Sequence, residues 1–192
     1  MTMMTTNTTM TTLDPHAART RRTAALLPAL LALTALMSQS ACARQDAAPA
    51  FSPAAVPAAH ARYQAKLFDL TDSGAARYDA AFTKQYRALL APQVKQDAKF
   101  VRRMTSGPTA DGAWFGAGAR GYLTYAICQA HACDSSAMVI AYDPAAGKMA
   151  GKVIDNCKQQ WLGQPDAAEK ALLEQRMKAS YQAALDACAE SK

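Results

Sequence analysis

Histidine is scarce in this chain: His16, His60 and His131 are the only three among 192 residues. No G-x-S-x-G elbow or glycine-rich phosphate loop accompanies them, and no pair of carboxylates stands out by spacing. These absences remove the usual means of nucleophilic, acid-base and phosphoryl chemistry, so the sequence argues against an enzyme. Blocks of like charge are missing too. The net charge of +6 is spread along the chain, which reads as a solvated surface and argues against nucleic acid as a partner. Cofactor signatures are also lacking: the haem pattern C-x-x-C-H does not occur, and the close cysteine pair C-x4-C does not have thioredoxin-type spacing.

No apolar run is long enough for a membrane span. Ala24–Met37 falls short of the roughly 20 residues a bilayer-crossing helix needs, but it suits the core of an export signal, with Arg19, Arg21 and Arg22 before it. Residues 1–43 are therefore read as a signal peptide, with the Met/Thr-rich Met1–Thr12 as an extension in front. Ala41-Cys42-Ala43 fits ordinary cleavage before Arg44. Ser40-Ala41-Cys42 also looks like the end of a lipoprotein box, which makes a lipid anchor at Cys42 the alternative. Either route exports the domain, and the periplasm is the expected location.

Setting Cys42 aside leaves four of the five cysteines, an even number for an oxidising compartment. Cys128 with Cys133 and Cys157 with Cys188 is the economical pairing. The rival reading is zinc, since thiolate and imidazole are good ligands. One cluster supplies only three such groups, however, and export favours disulfides, so neither metal nor cofactor is expected.

Residues 44–62 are rich in Ala and Pro and read as a linker, with His60 an exposed bystander at its edge. The domain proper is expected over 63–192. Asp72 and Ser73 can cap a helix carrying Tyr78, Phe82, Tyr86 and Leu89, which Pro92 should stop. A shorter piece with Val94, Phe100 and Val101 ends at the breaker pair Gly107-Pro108. Short apolar runs at Trp114–Ala117, Tyr122–Ile127, Met138–Tyr142 and Met149–Ile154 follow, separated by turn residues, and read as a strand meander. Asp143-Pro144-Ala145-Ala146-Gly147 suits a type I turn within it. Pro165 then opens a long amphipathic helix through Leu173, Met177, Tyr181, Leu185 and Cys188. The fold class is α+β: an antiparallel sheet of about four to five strands flanked by helices, with a disulfide-closed loop protruding from it.

That loop, Cys128-Gln129-Ala130-His131-Ala132-Cys133, resembles the C-x-x-H-x-C signature of the periplasmic inhibitors of vertebrate lysozyme (Ivy type). Gly118 and Tyr122 upstream, and Trp161-Leu162-Gly163 with Pro165, Lys170 and Leu173 downstream, extend the resemblance over roughly Phe82 to Met177. It implies a protein partner, a c-type lysozyme, whose cleft is occluded by Gln129, Ala130, His131 and Ala132, the histidine meeting the two catalytic carboxylates. It also implies a homodimer by analogy with some relatives. The commonest form of the loop has Lys-Pro before the histidine and Asp after it; Gln129-Ala130 and Ala132 stand there in this chain. On the residues alone, His131 is a loop histidine that hydrogen-bonds its own turn, and the resemblance is what turns the reading toward a partner. The alternative function is a cell-envelope structural or stress protein on the same scaffold without affinity for lysozyme.

Overall fold

The three central strand segments are almost wholly apolar, and a strand with apolar residues on both faces must be covered on both sides. The computed structural model, which describes residues 51–117 and 120–190, meets that requirement with helices on each face of one antiparallel sheet. In chain order the elements are β1 (Ser52–Ala54), a 3-10 turn (Ala58–Tyr63), α1 (Leu67–Thr71), α2 (Ala80–Gln96), α3 (Phe100–Met104), β2 (Ala113–Ala117), β3 (Arg120–Cys128), β4 (Ala137–Asp143), β5 (Lys148–Asp155), β6 (Lys158–Leu162) and α4 (Ala167–Glu190). The sheet runs in sequence order, β1-β2-β3-β4-β5-β6. It has six strands, slightly more than the sequence suggests.

Away from Phe51, Phe115, Tyr122 and Ile154 on the α4 side, side-chain size divides the two faces. Leu123, Tyr125, Ile127, Met138, Ile140, Tyr142, Met149 and Val153 join Phe82, Leu90, Phe100 and Met104 in one core, under α1, α2 and α3. Ala126, Cys128, Ala137, Val139, Ala141, Ala150 and Ile154 form the other, against Leu172, Leu173, Met177, Ala184 and Cys188 of α4. The first face is built around an aromatic knot. Phe82 meets Tyr125 and Tyr142 edge-on at centroid distances of 5.5 and 5.0 Å, and the Tyr125 hydroxyl donates to the carbonyl of Tyr63 at 2.8 Å. Burial pushes the Tyr125 hydroxyl's pKa up, so it acts as a fixed donor.

Helix ends differ from the sequence reading in instructive ways. Asp79, not Asp72 or Ser73, caps α2 by accepting the Phe82 amide at 2.9 Å, while Asp72 ends α1 and accepts the Gly74 amide at 3.0 Å. Tyr78 therefore precedes the helix and is 39% exposed. Pro92 lies inside α2 rather than at its end: a proline forfeits one backbone bond, yet the last turn is closed by the Asp97 amide on the Gln93 carbonyl at 2.8 Å. α4 begins two residues after Pro165. Asp166 and Glu169 cap it reciprocally, each carboxylate accepting the other's amide, at 2.8 and 2.9 Å.

The segment read as a linker contributes to the domain from Phe51 on. Phe51 is buried and packs edge-on against Tyr122 at 5.2 Å, and β1 pairs with β2 through Ser52, Pro53 and Ala54. A proline is tolerated there because β1 is an edge strand. His60 is not an exposed bystander: it is half-buried and stacked on Trp114 at 5.5 Å. Residues 1–43, which the sequence reads as a signal peptide, Cys42 among them, and Gly118 lie outside the described residues.

Phe82 joins the helices to three aromatic side chains at once. Phe82→Ala is expected to cost about 3–5 kcal/mol, read as a lower urea midpoint at unchanged slope; an unchanged midpoint would mean that the knot does not organise this core.

Candidate functional site

The close of β3 and the start of β4 set the geometry of the loop. Cys128 and Ala137 are the last paired residues of that hairpin, so residues 129–136 must reverse the chain. They do so in consecutive turns. The Gln129 carbonyl accepts the Ala132 amide at 3.1 Å, and the Ala132 carbonyl accepts those of Ser135 and Ser136 at 3.1 and 2.7 Å. Cys128 and Cys133 form a disulfide across the first turn, with Cα atoms 5.1 Å apart. His131 occupies the third position of that turn with φ of +61°, the left-handed conformation that a type II turn demands there. Histidine is among the side chains that tolerate it better than most. The residue is exposed.

The loop is held from behind by residues that carried no obvious signal in the sequence. The Ala130 amide donates to the Ser106 hydroxyl at 3.0 Å, and the Gly107 amide to the Cys128 carbonyl at 3.1 Å. A Cβ at position 107 would stand 2.5 Å from that same carbonyl oxygen, so only glycine allows this approach. Arg103 of α3 reaches the Gln129 side chain at 3.0 Å while forking onto both oxygens of Asp155 at 2.7 and 2.9 Å and bonding Asp97 at 2.9 Å. Those carboxylates hold the guanidinium charged, Asp155 contributing most. One cation thus ties the loop to the ends of α2 and β5.

The neighbouring hairpin adds a second brace. Asn156 and Cys157 turn between β5 and β6 with φ of +48° and +62°, the positive values of a two-residue type I′ turn. The Cys157 amide donates to the Ser135 carbonyl at 3.1 Å and the Asn156 amide to the Ser136 hydroxyl at 3.3 Å. A disulfide from Cys157 to Cys188 then pins this hairpin to the last turns of α4. All four cysteines among the described residues are engaged in disulfides. Among the described residues no group of three His, Cys, Asp or Glu side chains could hold a metal ion.

The arrangement is a short, cross-linked finger with Gln129, Ala130, His131 and Ala132 between its cysteines and an imidazole presented to solvent. The other expected residues lie elsewhere. Tyr122 is buried in the α4-side core, its hydroxyl 3.5 Å from Glu169. Trp161 is 38% exposed on β6 with the Lys152 and Lys170 ammonium groups 5.2 and 5.7 Å from its ring centre. Tyr122 is a core position, and Trp161 lies on the exposed face of the edge strand. Of the residues behind the loop, only Gly107 left a trace in the sequence, as a helix breaker; nothing distinguished Arg103 or Ser106 from other polar residues.

A family model described as "Inhibitor of vertebrate lysozyme (Ivy)" matches residues 81–183, slightly more than half of the chain. Neither a curated protein nor a solved structure matches it. The matched segment starts in α2 and ends in α4, so it includes the loop, both strands that carry it and Arg103.

The second position of a type II turn favours proline, but here Ala130 uses its amide, which a proline would lack. Ser106→Ala is expected to speed hydrogen exchange at Ala132 and to lower stability by no more than about 1 kcal/mol. Adding Ala130→Pro to that variant should restore the slow exchange, whereas the proline alone should not improve on the parent. Unchanged exchange at Ala132 in Ser106→Ala would show that the hydroxyl does not stiffen the turn.

Proposed function

We propose, from the premise that this chain belongs to the inhibitor of vertebrate lysozyme family, that it blocks a c-type lysozyme by inserting the loop Gln129–Ala132 into the catalytic cleft. Inhibition of lysozyme is the role that the family confers. The observation that carries the choice of His131 as the key is its exposure at a positive-φ position of a disulfide-closed turn.

The physics favours this residue in this setting. A retaining glycosidase holds two carboxyl groups about 5 Å apart across the bond it cuts. An imidazolium between them donates from both ring nitrogens, and the adjacent negative charge stabilises its protonated form. Its entry removes the site of sugar binding and engages the acid and the carboxylate together. Fixing a flexible backbone costs about 1–2 kcal/mol per residue; a loop already closed by a disulfide and hydrogen-bonded from behind forgoes most of that cost on docking.

The same reading places the protein in the bacterial periplasm, guarding peptidoglycan against host enzyme. Support comes from the N-terminal apolar run behind three arginines and from two disulfides in the domain. A lipid anchor at Cys42 and a homodimer belong to the proposal as its variants. The domain is basic, so a basic lysozyme should be repelled at long range and associate faster as salt rises, with exposed Asp134 beside the loop as a local offset.

The test is lysozyme activity against the purified protein and two variants, His131→Ala and His131→Gly, the glycine relieving any backbone strain at positive φ. Both are expected to lose inhibition by at least a hundredfold, about 2.7 kcal/mol of binding. Variants that inhibit as well as the parent would rule out the histidine key. A parent that inhibits no c-type lysozyme would leave the envelope structural or stress role as the reading.

A further inference from the structure

Arg176 sits on α4 with no ion-pair partner among the described residues. Among the described residues no carboxylate or carbonyl pairs with its guanidinium, and its Nε–H is buried with no acceptor at all. The Phe115 ring lies 5.9 Å from the guanidinium carbon, and Tyr181 interacts with it electrostatically. Contrast Arg103 and Arg120, which reach Asp155 and Asp166 at 2.7 and 3.1 Å. Burial lowers the pKa of Arg176, where acid partners raise that of Arg103. A half-buried cation that no acid neutralises is costly, and one set on the wall of a cleft offers its charge to an anion.

The surroundings describe that anion. Arg176 lines a cleft of about 320 Å³ with Thr109, Ala110, Ala126, Ser180 and Tyr181. Thr109 and Ser180 add hydroxyls; Ala110 and Ala126 supply small apolar walls. At Tyr181 the helix leaves helical geometry, with φ of −142° and ψ of +42°, so α4 is interrupted at the cleft. A single cation balances a single negative charge, and a planar guanidinium pairs with a carboxylate through two parallel bonds. The methyl-lined walls leave room for a small apolar group next to it.

We propose that this cleft is a binding site for a carboxylate that terminates a small apolar group, such as the C-terminal end of a peptide finishing in an alanine-like residue, with Arg176 as its counter-ion. The site stands on the α4 face of the sheet, uses none of the residues of the 129–132 loop, and does not depend on the reading of that loop.

N-acetylalanine serves as the probe, its uncharged amide as the control, and thermal unfolding with calorimetric titration as the readouts. Saturable binding to the parent is expected, with a rise in Tm of about 5 °C at a hundredfold excess over Kd, and no response to the amide. Arg176→Gln should abolish the response. Arg176→Met should melt, without ligand, at a temperature no lower than the parent's, because it removes an unpaired charge while keeping the aliphatic stem. No saturable binding, equal response to the amide, or equal response from Arg176→Gln would overturn the proposal. So would a Tm loss in Arg176→Met, which would make the guanidinium a structural group.

Discussion

Double-sided burial of β3, β4 and β5 is the constraint from which the rest follows. A one-residue slip in a strand moves every side chain to the opposite face. Here that slip would drive Tyr125 and Ile127 into the space filled by Ala126 and Cys128, and would leave alanines facing Phe82 and Leu90. The asymmetry of size therefore fixes the register. Small residues of the central strands face α4, and large ones face α1, α2 and α3. Once the register is set, Cys128 must point toward α4 at the end of its strand. The cross-linked loop and the second disulfide then come to the same end of the sheet.

That size rule explains what the sequence revealed and what it hid. The apolar runs from Tyr122 to Ile154 were legible as strands because burial on both faces leaves few polar residues to interrupt them. β6 was not, since Lys158, Gln159, Gln160 and Trp161 are all exposed at the edge and show no alternation. β1 lies within an Ala/Pro stretch whose composition says linker; its pairing with β2 and the packing of Phe51 on Tyr122 tie it down. Asp79 rather than Asp72 caps α2, although the two are equivalent in sequence pattern. What distinguishes them is a tertiary contact, the Thr83 hydroxyl bonding the carbonyls of Leu70 and Asp79 at 3.0 and 2.8 Å.

The candidate site divides along the same line. Its covalent skeleton is readable by counting cysteines, whereas His131 is singled out by the family resemblance alone. The residues that stiffen it were not readable, because Arg103 and Ser106 act across 26 and 24 positions of sequence. Their arrangement has a physical logic. Closing a five-residue loop contributes only about 2 kcal/mol by chain entropy, and one disulfide does not fix the dihedrals of the residues it encloses. Hydrogen bonds to the Ala130 amide and the Gln129 side chain constrain what the sulfurs leave free. A proline at position 130 would achieve part of this locally; in this chain the task is distributed over α3 and the turn after it.

Small side chains at the tip also decide how binding energy would be distributed if the finger enters a cleft. Ala130 and Ala132 bring little surface and no charge, and Gln129 is already bonded to Arg103. Among residues 129–132 the ring of His131 would then be the main side chain to anchor such a contact, with backbone groups supplying the remainder. Interfaces of this kind concentrate their energy in one desolvated group surrounded by near-neutral contacts. Such concentration raises the demand on placement, because a single anchor misplaced by an ångström has no neighbour to compensate. Two disulfides, the Arg103 fork and the close approach of Gly107 at the base of so short a loop are the structural counterpart of that demand.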